Sequence, residues 1–372
     1  MSVNMKPSAP SDSSHEDIAS FAQSISIDNR IPHLIPSFDV PFFQAGLAGY
    51  SDGAMRLIAR RNGCPYCITE ALLDITLING GKGRRREDPD LLAEECGCGN
   101  IEDNKSAGLD DHPIAGQIMG TSPENMAQAA EILVGMGCDV IDVNLACPVK
   151  KVKKRKRGGH FLISPSEAIS VLSEVRQAVS KKIPTSVKLR RGWDDSIEAE
   201  ANFYKIFDAS YELGYSWTTI HARSVEQKYN GPSRWSFLKS LVNNRPEAIV
   251  FGSGDIWCAA DIFRMIRDTG VHAVSVARGC IGNPWIFQQA RDLMNGEKPR
   301  KPTIEQQKNV LSEHFGLCMQ LHGEKKASRL MRKFGIRFSQ HHSKAELVRK
   351  KFIEVKSLKE WEEVVRSFYS AN

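Results

Sequence analysis

The stretch PENMAQAAEILVGMGCDVIDVNLACP, residues 123–148, contains one complete helix–strand unit. Its first part, 123–137, repeats apolar side chains at helical spacing, and 140–145 is a short run rich in Val and Ile. Short apolar runs of this kind are typical of parallel strands that helices cover on both faces. The stretch therefore predicts a helix that leads into a buried parallel strand.

The same alternation extends in both directions along the chain. Further strands are predicted at 42–47, 66–69, 114–119, 185–189, 218–221, 248–251 and 273–276, and the helices between them include 166–179, 198–213 and 259–269. Eight strand–helix units between residues 36 and 295 indicate the α/β class and match the usual size of a (β/α)8 TIM barrel. A doubly wound open sheet is the alternative, but no Gly-x-Gly-x-x-Gly follows the first strand.

The segments outside the barrel differ from it in character. Residues 1–35 are polar and Ser-rich with little periodicity, which predicts a flexible N-terminal tail. Residues 296–372 contain no strand-like run and are predicted to form a separate all-helical domain, with helices at 304–322, 325–338, 345–355 and 358–370. Residues 84–111, between the second and third strands, are Gly-rich and charged and are interpreted as an inserted loop.

The composition is that of a globular protein. Of 372 residues, 41 % are hydrophobic and 25 % charged, which excludes a largely disordered or collagen-like chain. No run approaches the length of a membrane span, and the first 30 residues lack the apolar core of a secretory signal. Nine cysteines, an odd number, are not typical of a disulfide framework, so we expect reduced thiols and a cytoplasmic location.

The basic charge is concentrated in two regions. Residues 296–372 carry 17 Lys and Arg against 9 Asp and Glu, although the net charge of the whole chain is only +6. Residues 150–157 hold seven basic side chains in eight positions. Two basic regions on a nearly neutral body indicate a polyanionic partner, with a solvated charged surface as the alternative.

Polar residues follow successive predicted strands, where the active site of a (β/α)8 barrel lies. At these strand ends stand Gln117, Asn144, Cys147, Lys188, His221 and Arg223. The turns after the last two strands, Ser253-Gly254-Asp255 and Ala277-Arg278-Gly279, contain glycines that permit a close approach of the backbone to a phosphate. A phosphorylated cofactor is therefore expected there, with Lys188 and His221 beside it.

Cys147 is the candidate reactive group. It follows the fourth predicted strand, precedes Pro148 and opens the loop that carries the basic run. A buried cysteine is usually a small hydrophobic residue, but this one lies at a strand end beside the expected anion site.

These residues resemble the dihydrouridine synthases, flavoenzymes that reduce uridine in RNA to 5,6-dihydrouridine. The likeness rests on AGLAGYSD at 45–52, NLACPVKKV at 144–152, HARS at 221–224 with Gln227, Tyr229, Gly231 and Trp235, and ARG at 277–279 with GNPW at 282–285. Met331-Arg332-Lys333 resembles the C-terminal domain of that family. The chain departs from the family pattern at Gly46, Ala146 and Ser253, where the family has proline, glycine and asparagine.

The resemblance implies FMN at the barrel mouth and NADPH as the reductant. The implied flavin contacts are Gly46, Leu47, Ala48, Gln117, Lys188, His221, Ser253, Gly254, Asp255, Ala277 and Arg278. A hydride would pass from N5 of the reduced flavin to C6 of uracil, and Cys147 would donate a proton to C5. Asn144 and Arg223 would hold the uracil. Lys150, Lys151 and the helical domain would contact the RNA, of which tRNA is the expected kind, and no obligate protein partner is evident.

The residues leave two alternative functions open, and they include a group of four cysteines that could bind a metal. A dihydroorotate dehydrogenase-like FMN barrel would act on a free pyrimidine but lacks a basic helical domain. An RNA-binding barrel without flavin is the second alternative. Cys64, Cys67, Cys96 and Cys98 could bind zinc, but the spacing of the second pair is atypical, so no metal is expected.

Overall fold

The computed structural model describes residues 14–79, 110–149 and 156–370. Nine parallel strands occur in these ranges: β1 (Phe42–Gln44), β2 (Cys67–Ile68), β3 (Leu72–Leu73), β4 (Ile114–Met119), β5 (Val140–Leu145), β6 (Thr185–Arg190), β7 (Trp217–His221), β8 (Val250–Ser253) and β9 (Ala273–Val276). Their order is β2-β1-β9-β8-β7-β6-β5-β4, and a pairing of β2 with β4 closes the ring. The eight-stranded barrel is confirmed, and the open-sheet alternative is wrong. The short β3 pairs in parallel with the end of β4, and the sequence did not predict it.

Helices cover the outside of the barrel. The helices that follow barrel strands along the chain are α3 (Gly53–Arg61), α4 (Asp74–Ile78), α5 (Pro123–Gly135), α6 (Pro165–Ala178), α7 (Ile197–Glu212), α8 (Trp235–Asn244), α9 (Ala259–Thr269) and α10 (Trp285–Met294). The four inter-strand helices quoted above lie where the sequence predicts them, within two residues at each end. None of the helices in the described ranges is both long and apolar enough to cross a membrane.

The lower half of the barrel interior is filled with aromatic rings. Phe43, Tyr66, Trp217 and Phe251 point inward from four strands or their starts, and Phe38 packs below them at 5.2 Å from the Tyr66 ring. All five side chains are fully buried. Because this layer seals the bottom, a ligand reaches the interior from the C-terminal mouth.

The upper half of the interior is polar because side chains alternate along each strand. In β5, Ile141 and Val143 face the helices, whereas Asp142 and Asn144 point into the barrel. The same alternation along the neighbouring strands makes further polar residues point inward, so that the set comprises Gln117, Asp142, Asn144, Ser186, Lys188, Thr219, His221, Ser253 and Ser275.

The described part of the N-terminal segment differs from the expected flexible tail. Residues 14–35 contain two helices, α1 (Ser14–Ser24) and α2 (Arg30–Leu34). Ile18 of α1 is buried in the core shared with α9 and α10, and Ile31 and Ile35 lie under the aromatic layer. These few apolar residues are too sparse for a periodic pattern, so tertiary packing rather than local sequence stabilises this segment.

The C-terminal part of the chain is helical, as predicted. It contains α11 (Ile304–Phe338), α12 (Ala345–Glu354) and α13 (Leu358–Phe368). The Oγ of Thr303 accepts a hydrogen bond from the backbone N–H of Gln306 at 3.1 Å and caps α11. Gly323 interrupts α11 with φ of +69°, which matches the predicted division into 304–322 and 325–338. We call α11–α13 the helical domain.

Candidate active site

Cys147 lies at the barrel mouth, in the turn that follows β5. The Oδ1 of Asn144 accepts hydrogen bonds from the N–H groups of Ala146 (3.1 Å) and Cys147 (3.2 Å) and so fixes this turn. A 3₁₀ segment, Gly158–Ile163, packs against it, and a Cβ on Gly158 would come within 2.9 Å of the Cys147 Cβ. Cys147 is half-buried, so its sulfur is held in place yet remains at the mouth.

The environment of Cys147 favours the protonated thiol. Burial raises the pKa of this thiol above its usual 9.0, and a backbone hydrogen bond at Val149 and the charge of Arg190 only partly oppose the rise. A thiol in this state carries a proton at neutral pH and can donate it.

A hydrogen-bonded relay connects the barrel centre to the Cys147 turn. The carboxylate of Asp142 accepts from Ser186 Oγ (2.6 Å) and from Gln117 Nε2 (2.7 Å). The Oε1 of Gln117 in turn accepts from Asn144 Nδ2 at 2.7 Å. Because an ionised carboxylate only accepts hydrogen bonds, Asp142 fixes the direction of both amides and hence the acceptor that holds Cys147.

Lys188 places a buried ammonium next to this relay. Its register partner across β5 and β6 is Asn144. Its Nζ is buried and has no hydrogen-bond partner among the described residues. Burial lowers the pKa of Lys188 to about 8, although the charge of Asp142 opposes this, and burial raises the pKa of Asp142 to about 6. At pH 7 both groups are mainly charged, and the ammonium has no hydrogen-bond acceptor in the described part of the chain.

His221 at the end of β7 is neutral. Burial lowers its pKa well below 6.5, and the nearby cations of Arg190, Lys188, Arg223 and Arg278 lower it further. Its Nδ1 accepts a hydrogen bond from the backbone N–H of Arg223 at 3.2 Å, which assigns the ring proton to Nε2. His221 is therefore a hydrogen-bond donor through Nε2.

The turn after β8 is rigid. Gly254 has φ of +117°, and a Cβ there would lie 2.3 Å from Ser233 Oγ. Asp255 accepts two hydrogen bonds from Arg223 Nη2, at 2.6 and 2.7 Å, and one from the Ser233 N–H at 2.7 Å. The Trp235 indole N–H donates to the Gly254 carbonyl at 3.1 Å. These bonds hold the backbone of residues 253–255 in place.

The guanidinium of Arg278 is oriented by two aromatic rings. It lies 4.8 Å from the Trp257 ring and 5.0 Å from the Tyr229 ring, and 3.7 Å from Asp255. A narrow recess runs below it, lined by His221, Ser253, Gly254, Asp255, Ile256, Trp257, Ser275, Ala277 and Arg278. The buried Ser275 Oγ and Trp257 Nε1 have no hydrogen-bond partner within the described ranges. The recess therefore offers donors to a ligand.

The charges around the mouth favour an anion. Four cationic side chains meet there: Lys188, Arg190, Arg223 and Arg278. The carboxylates of Asp142 and Asp255 balance two of them. The remaining positive charge and the unpartnered buried donors fit a ligand with a phosphate group.

The loop after β1 approaches the barrel closely. A Cβ on Gly46 would lie 2.3 Å from the Thr69 carbonyl oxygen, which accounts for glycine at this position. The N–H of Leu47 donates to Ser51 Oγ at 2.8 Å. Ala48 is exposed on the loop.

The structure brings most of the expected site residues together at one mouth. The residues that meet there are Gln117, Asn144, Cys147, Lys188, His221 and those of the turns at 253–255 and 277–278. The guanidinium of Arg223 is already engaged by Asp255 and by the carbonyl of Gly231, and the Asn144 side chain holds the Cys147 turn. Lys150 and Lys151 lie outside the described residues.

Sequence reasoning assigned no role in the site to three residues that the structure places there. They are Asp142 at the centre of the relay, Tyr229 beside Arg278, and Arg190, which donates to the carbonyls of Ala146 (2.9 Å) and Ser224 (2.8 Å). The alternation in β5 and β6 could have identified Asp142 and Arg190, because each lies two positions from a selected inward residue.

The cysteine constellation is only partly described. The sulfurs of Cys64 and Cys67 are 3.9 Å apart. Within 14–79, 110–149 and 156–370, no three or more His, Cys, Asp or Glu side chains are grouped to hold a metal. Cys96 and Cys98 lie outside these ranges.

The fold and the site define a (β/α)8-barrel protein with a half-buried thiol and a recess bordered by cationic side chains at its mouth. Solved structures share the fold at 11 % identity: 6-hydroxypseudooxynicotine amine oxidase (HisD) from Pseudomonas geniculata N1 (TM-score 0.54, 80 % of this chain and 53 % of that one) and histamine dehydrogenase from Rhizobium sp. 4-9 (TM-score 0.50, 81 % and 51 %). The family model of dihydrouridine synthase (Dus) matches residues 44–371, which include the barrel and the helical domain. The chain belongs to the dihydrouridine synthase family.

Curated relatives agree with this assignment. A probable tRNA-dihydrouridine synthase of Treponema pallidum is 30 % identical over 78 % of this chain and 82 % of the relative. The tRNA-dihydrouridine synthase B of Pasteurella multocida is 27 % identical over 78 % and 81 %. A probable tRNA-dihydrouridine synthase of Rickettsia conorii is 32 % identical over 56 % of this chain, and that match spans 61 % of the relative's length.

Proposed function

We propose that this protein is a flavin-dependent oxidoreductase that reduces uridine to 5,6-dihydrouridine in tRNA, with FMN as the cofactor and NADPH as the reductant. Family membership and the names of the relatives support the reaction and the kind of RNA. The observation that carries the proposal is the juxtaposition, at one barrel mouth, of the half-buried Cys147 thiol and the partnerless Lys188 ammonium.

The residues at the mouth fit FMN. The turns at 253–255 and 277–278 would hold its phosphate, which carries a charge of about −1.5 to −2 at neutral pH and matches the unbalanced positive charge there. Lys188 and Gln117 would contact the ring system, and His221 would donate through Nε2. The loop at 46–48 would border the ring.

The chain itself supplies the proton and the positioning. The flavin, once bound and reduced, supplies the hydride that uracil C6 receives. Cys147 lies at the mouth with its thiol protonated, and it would donate that proton to C5. The Asp142–Gln117–Asn144 relay fixes the turn that carries the sulfur. The uracil contacts expected of Asn144 and Arg223 stay predictions.

The helical domain offers a basic surface for RNA. Lys325, Arg329 and Arg332 are exposed and follow one another at helical spacing along the second half of α11. Phosphate contacts of this kind weaken steeply as the salt concentration rises. They would also offset the cost of about a few kcal/mol for taking the target uridine out of its stack.

Purification and one variant test the proposal. The purified protein should carry FMN, identified by absorbance and chromatography, and should convert uridine in tRNA to dihydrouridine with NADPH, measured by mass spectrometry. Cys147→Ala should lose dihydrouridine formation by about 100-fold or more while its flavin is still reduced by NADPH. A protein with neither flavin nor dihydrouridine formation would refute the proposal, and equal activity on free uridine would indicate a free-pyrimidine enzyme instead.

A further inference from the structure

We infer that the helical domain contributes to cofactor binding, because its contacts hold the loop of residues 45–52 in the conformation that binds the flavin. The inference rests on the proposed function only for the identity of the cofactor. The loop joins β1 to α3 and contains residues 46–48, which would border the flavin.

The loop has a local turn of its own, in which the N–H of Tyr50 donates to the Leu47 carbonyl and the N–H of Asp52 donates to the Tyr50 carbonyl, both at 2.9 Å. The N–H of Leu47 donates to Ser51 Oγ at 2.8 Å, and the N–H of Ser51 donates back to the Leu47 carbonyl at 3.0 Å. On its barrel side, Gly46 lies against the Thr69 carbonyl. The opposite side of the loop contacts α11.

Lys333 is the first contact from α11. Its Nζ donates a hydrogen bond to the carbonyl oxygen of Gly49 at 2.8 Å. The same ammonium lies 4.8 Å from the centre of the Tyr50 ring, a cation–π contact, and Tyr50 meets Phe334 edge to face at 5.7 Å. Gly49 has φ of +77°, so this backbone carbonyl is presented by a turn that only a few residue types adopt readily.

His322 is the second contact, on the other side of the helix break at Gly323. Its Nε2 lies 2.8 Å from Asp52 Oδ2, and both side chains are buried. The Oδ1 of Asp52 accepts from the Met55 N–H at 3.0 Å and caps α3. Burial alone would raise the pKa of Asp52, but the hydrogen bonds from His322 and Met55 hold it below its usual value. Asp52 is thus an anion that joins the loop, α3 and α11.

The same helix therefore has two functions on two faces. Lys325, Arg329 and Arg332 are exposed, whereas Lys333 is turned toward the barrel loop. Loss of the loop contacts should loosen residues 45–52 and weaken flavin binding, although no residue of the recess is changed.

The test compares Lys333→Met with Lys308→Met in the full chain. The first variant keeps the aliphatic stem but removes the ammonium, and the second removes an exposed charge from the same helix. Lys333→Met should raise the dissociation constant of FMN by about tenfold, measured by the quenching of flavin fluorescence on the apoprotein. In the absence of flavin, the amide hydrogens of residues 45–52 should exchange faster in Lys333→Met than in the wild type. Lys308→Met should match the wild type in both measurements.

A second pair of variants covers the other contact. His322→Leu should act like Lys333→Met, and His322→Gln, which can still donate to Asp52, should restore most of the affinity. Unchanged affinity and unchanged loop exchange in Lys333→Met and His322→Leu would overturn the inference. A wild-type protein that binds no FMN would instead refute the proposed function, and the exchange measurement would still decide whether the helical domain holds the loop.

Discussion

Replacement of Lys188 with methionine should stabilise the cofactor-free protein and at the same time weaken its binding of FMN. Burial lowers the pKa of Lys188 from 10.5 to about 8, and a tenfold change in proton affinity corresponds to about 1.4 kcal/mol. The buried ammonium therefore costs roughly 3 kcal/mol of folding free energy at pH 7. Methionine fills the same space without a charge.

The neighbouring carboxylate reduces this gain. The charge of Lys188 lowers the pKa of Asp142, which burial has raised to about 6. Without Lys188, that pKa rises further and the ionised carboxylate becomes more costly at pH 7. We expect a net gain of roughly 1–2 kcal/mol, which for a chain of this length corresponds to an increase in Tm of about 1–3 °C.

The dependence on pH identifies the cause. The pKa of Lys188 is lower in the folded than in the unfolded state, so the unfolded chain binds more protons between about pH 8 and 10.5. The stability of the wild type therefore rises with pH across that interval. The advantage of Lys188→Met should be full below pH 8 and should fade toward pH 10.5.

Thermal unfolding of the apoproteins at pH 7 and pH 9.5, together with FMN titrations, provides the assay. Lys188→Met should bind FMN about 10- to 100-fold more weakly, because it loses a charge-assisted hydrogen bond. Lys182→Met, which removes an exposed lysine of the same barrel, should change neither quantity. The reasoning is refuted if Lys188→Met lowers the Tm of the apoprotein and leaves the FMN affinity unchanged.

Three further predictions concern the recess, the relay and the RNA surface. Gly254→Ala should weaken FMN binding by about tenfold or more, because the new Cβ would clash with Ser233 Oγ. Gly214 also has a positive φ but has open space around it, so Gly214→Ala should lower stability without changing FMN affinity. Equal FMN affinity in the two variants would contradict this prediction. Asp142→Asn should free the relay amides to reverse, so alkylation of Cys147 by iodoacetamide should change in rate and pH dependence; an unaltered profile would separate Asp142 from the thiol. The affinity for tRNA should fall by about tenfold or more between 50 and 200 mM salt, and Arg329→Met should make that dependence less steep; a salt-independent affinity would exclude a phosphate-binding surface.

The strands were predictable because the apolar pattern that indicates them lies within a few consecutive residues. Residues 114–119 and 140–145 are apolar on the face that meets the helices, and each run is short enough to indicate a strand. The N-terminal helices were not predictable in this way. Ile18 and Ile31 are isolated apolar residues in polar surroundings, and they become structural only through the helices and the aromatic layer that they contact.

The positions of the site residues were predictable, but their partners were not. Lys188 and His221 end strands, and the barrel topology alone brings strand ends together. Arg223 pairs with Asp255, 32 positions along the chain, and this pairing depends on the left-handed backbone of residues 254 and 255. Local sequence patterns carry no information about such an approach.

The two halves of the barrel interior make opposite contributions to the stability of the cofactor-free protein. The polar layer with Asp142 and Lys188 is unfavourable in the absence of a ligand, because both charges are buried and one has no hydrogen-bond partner in the described structure. The aromatic layer beneath it, with Trp217 and Phe251 fully buried, offsets that cost through apolar contact. An anionic cofactor that accepts a hydrogen bond from Lys188 would therefore bind to a mouth that is already ordered. Little of the binding free energy would then be lost in ordering the barrel. By contrast, the inferred role of the helical domain predicts that the loop at 45–52 depends on Lys333 and His322 for its order, so that binding of RNA to that domain should alter this part of the proposed cofactor site.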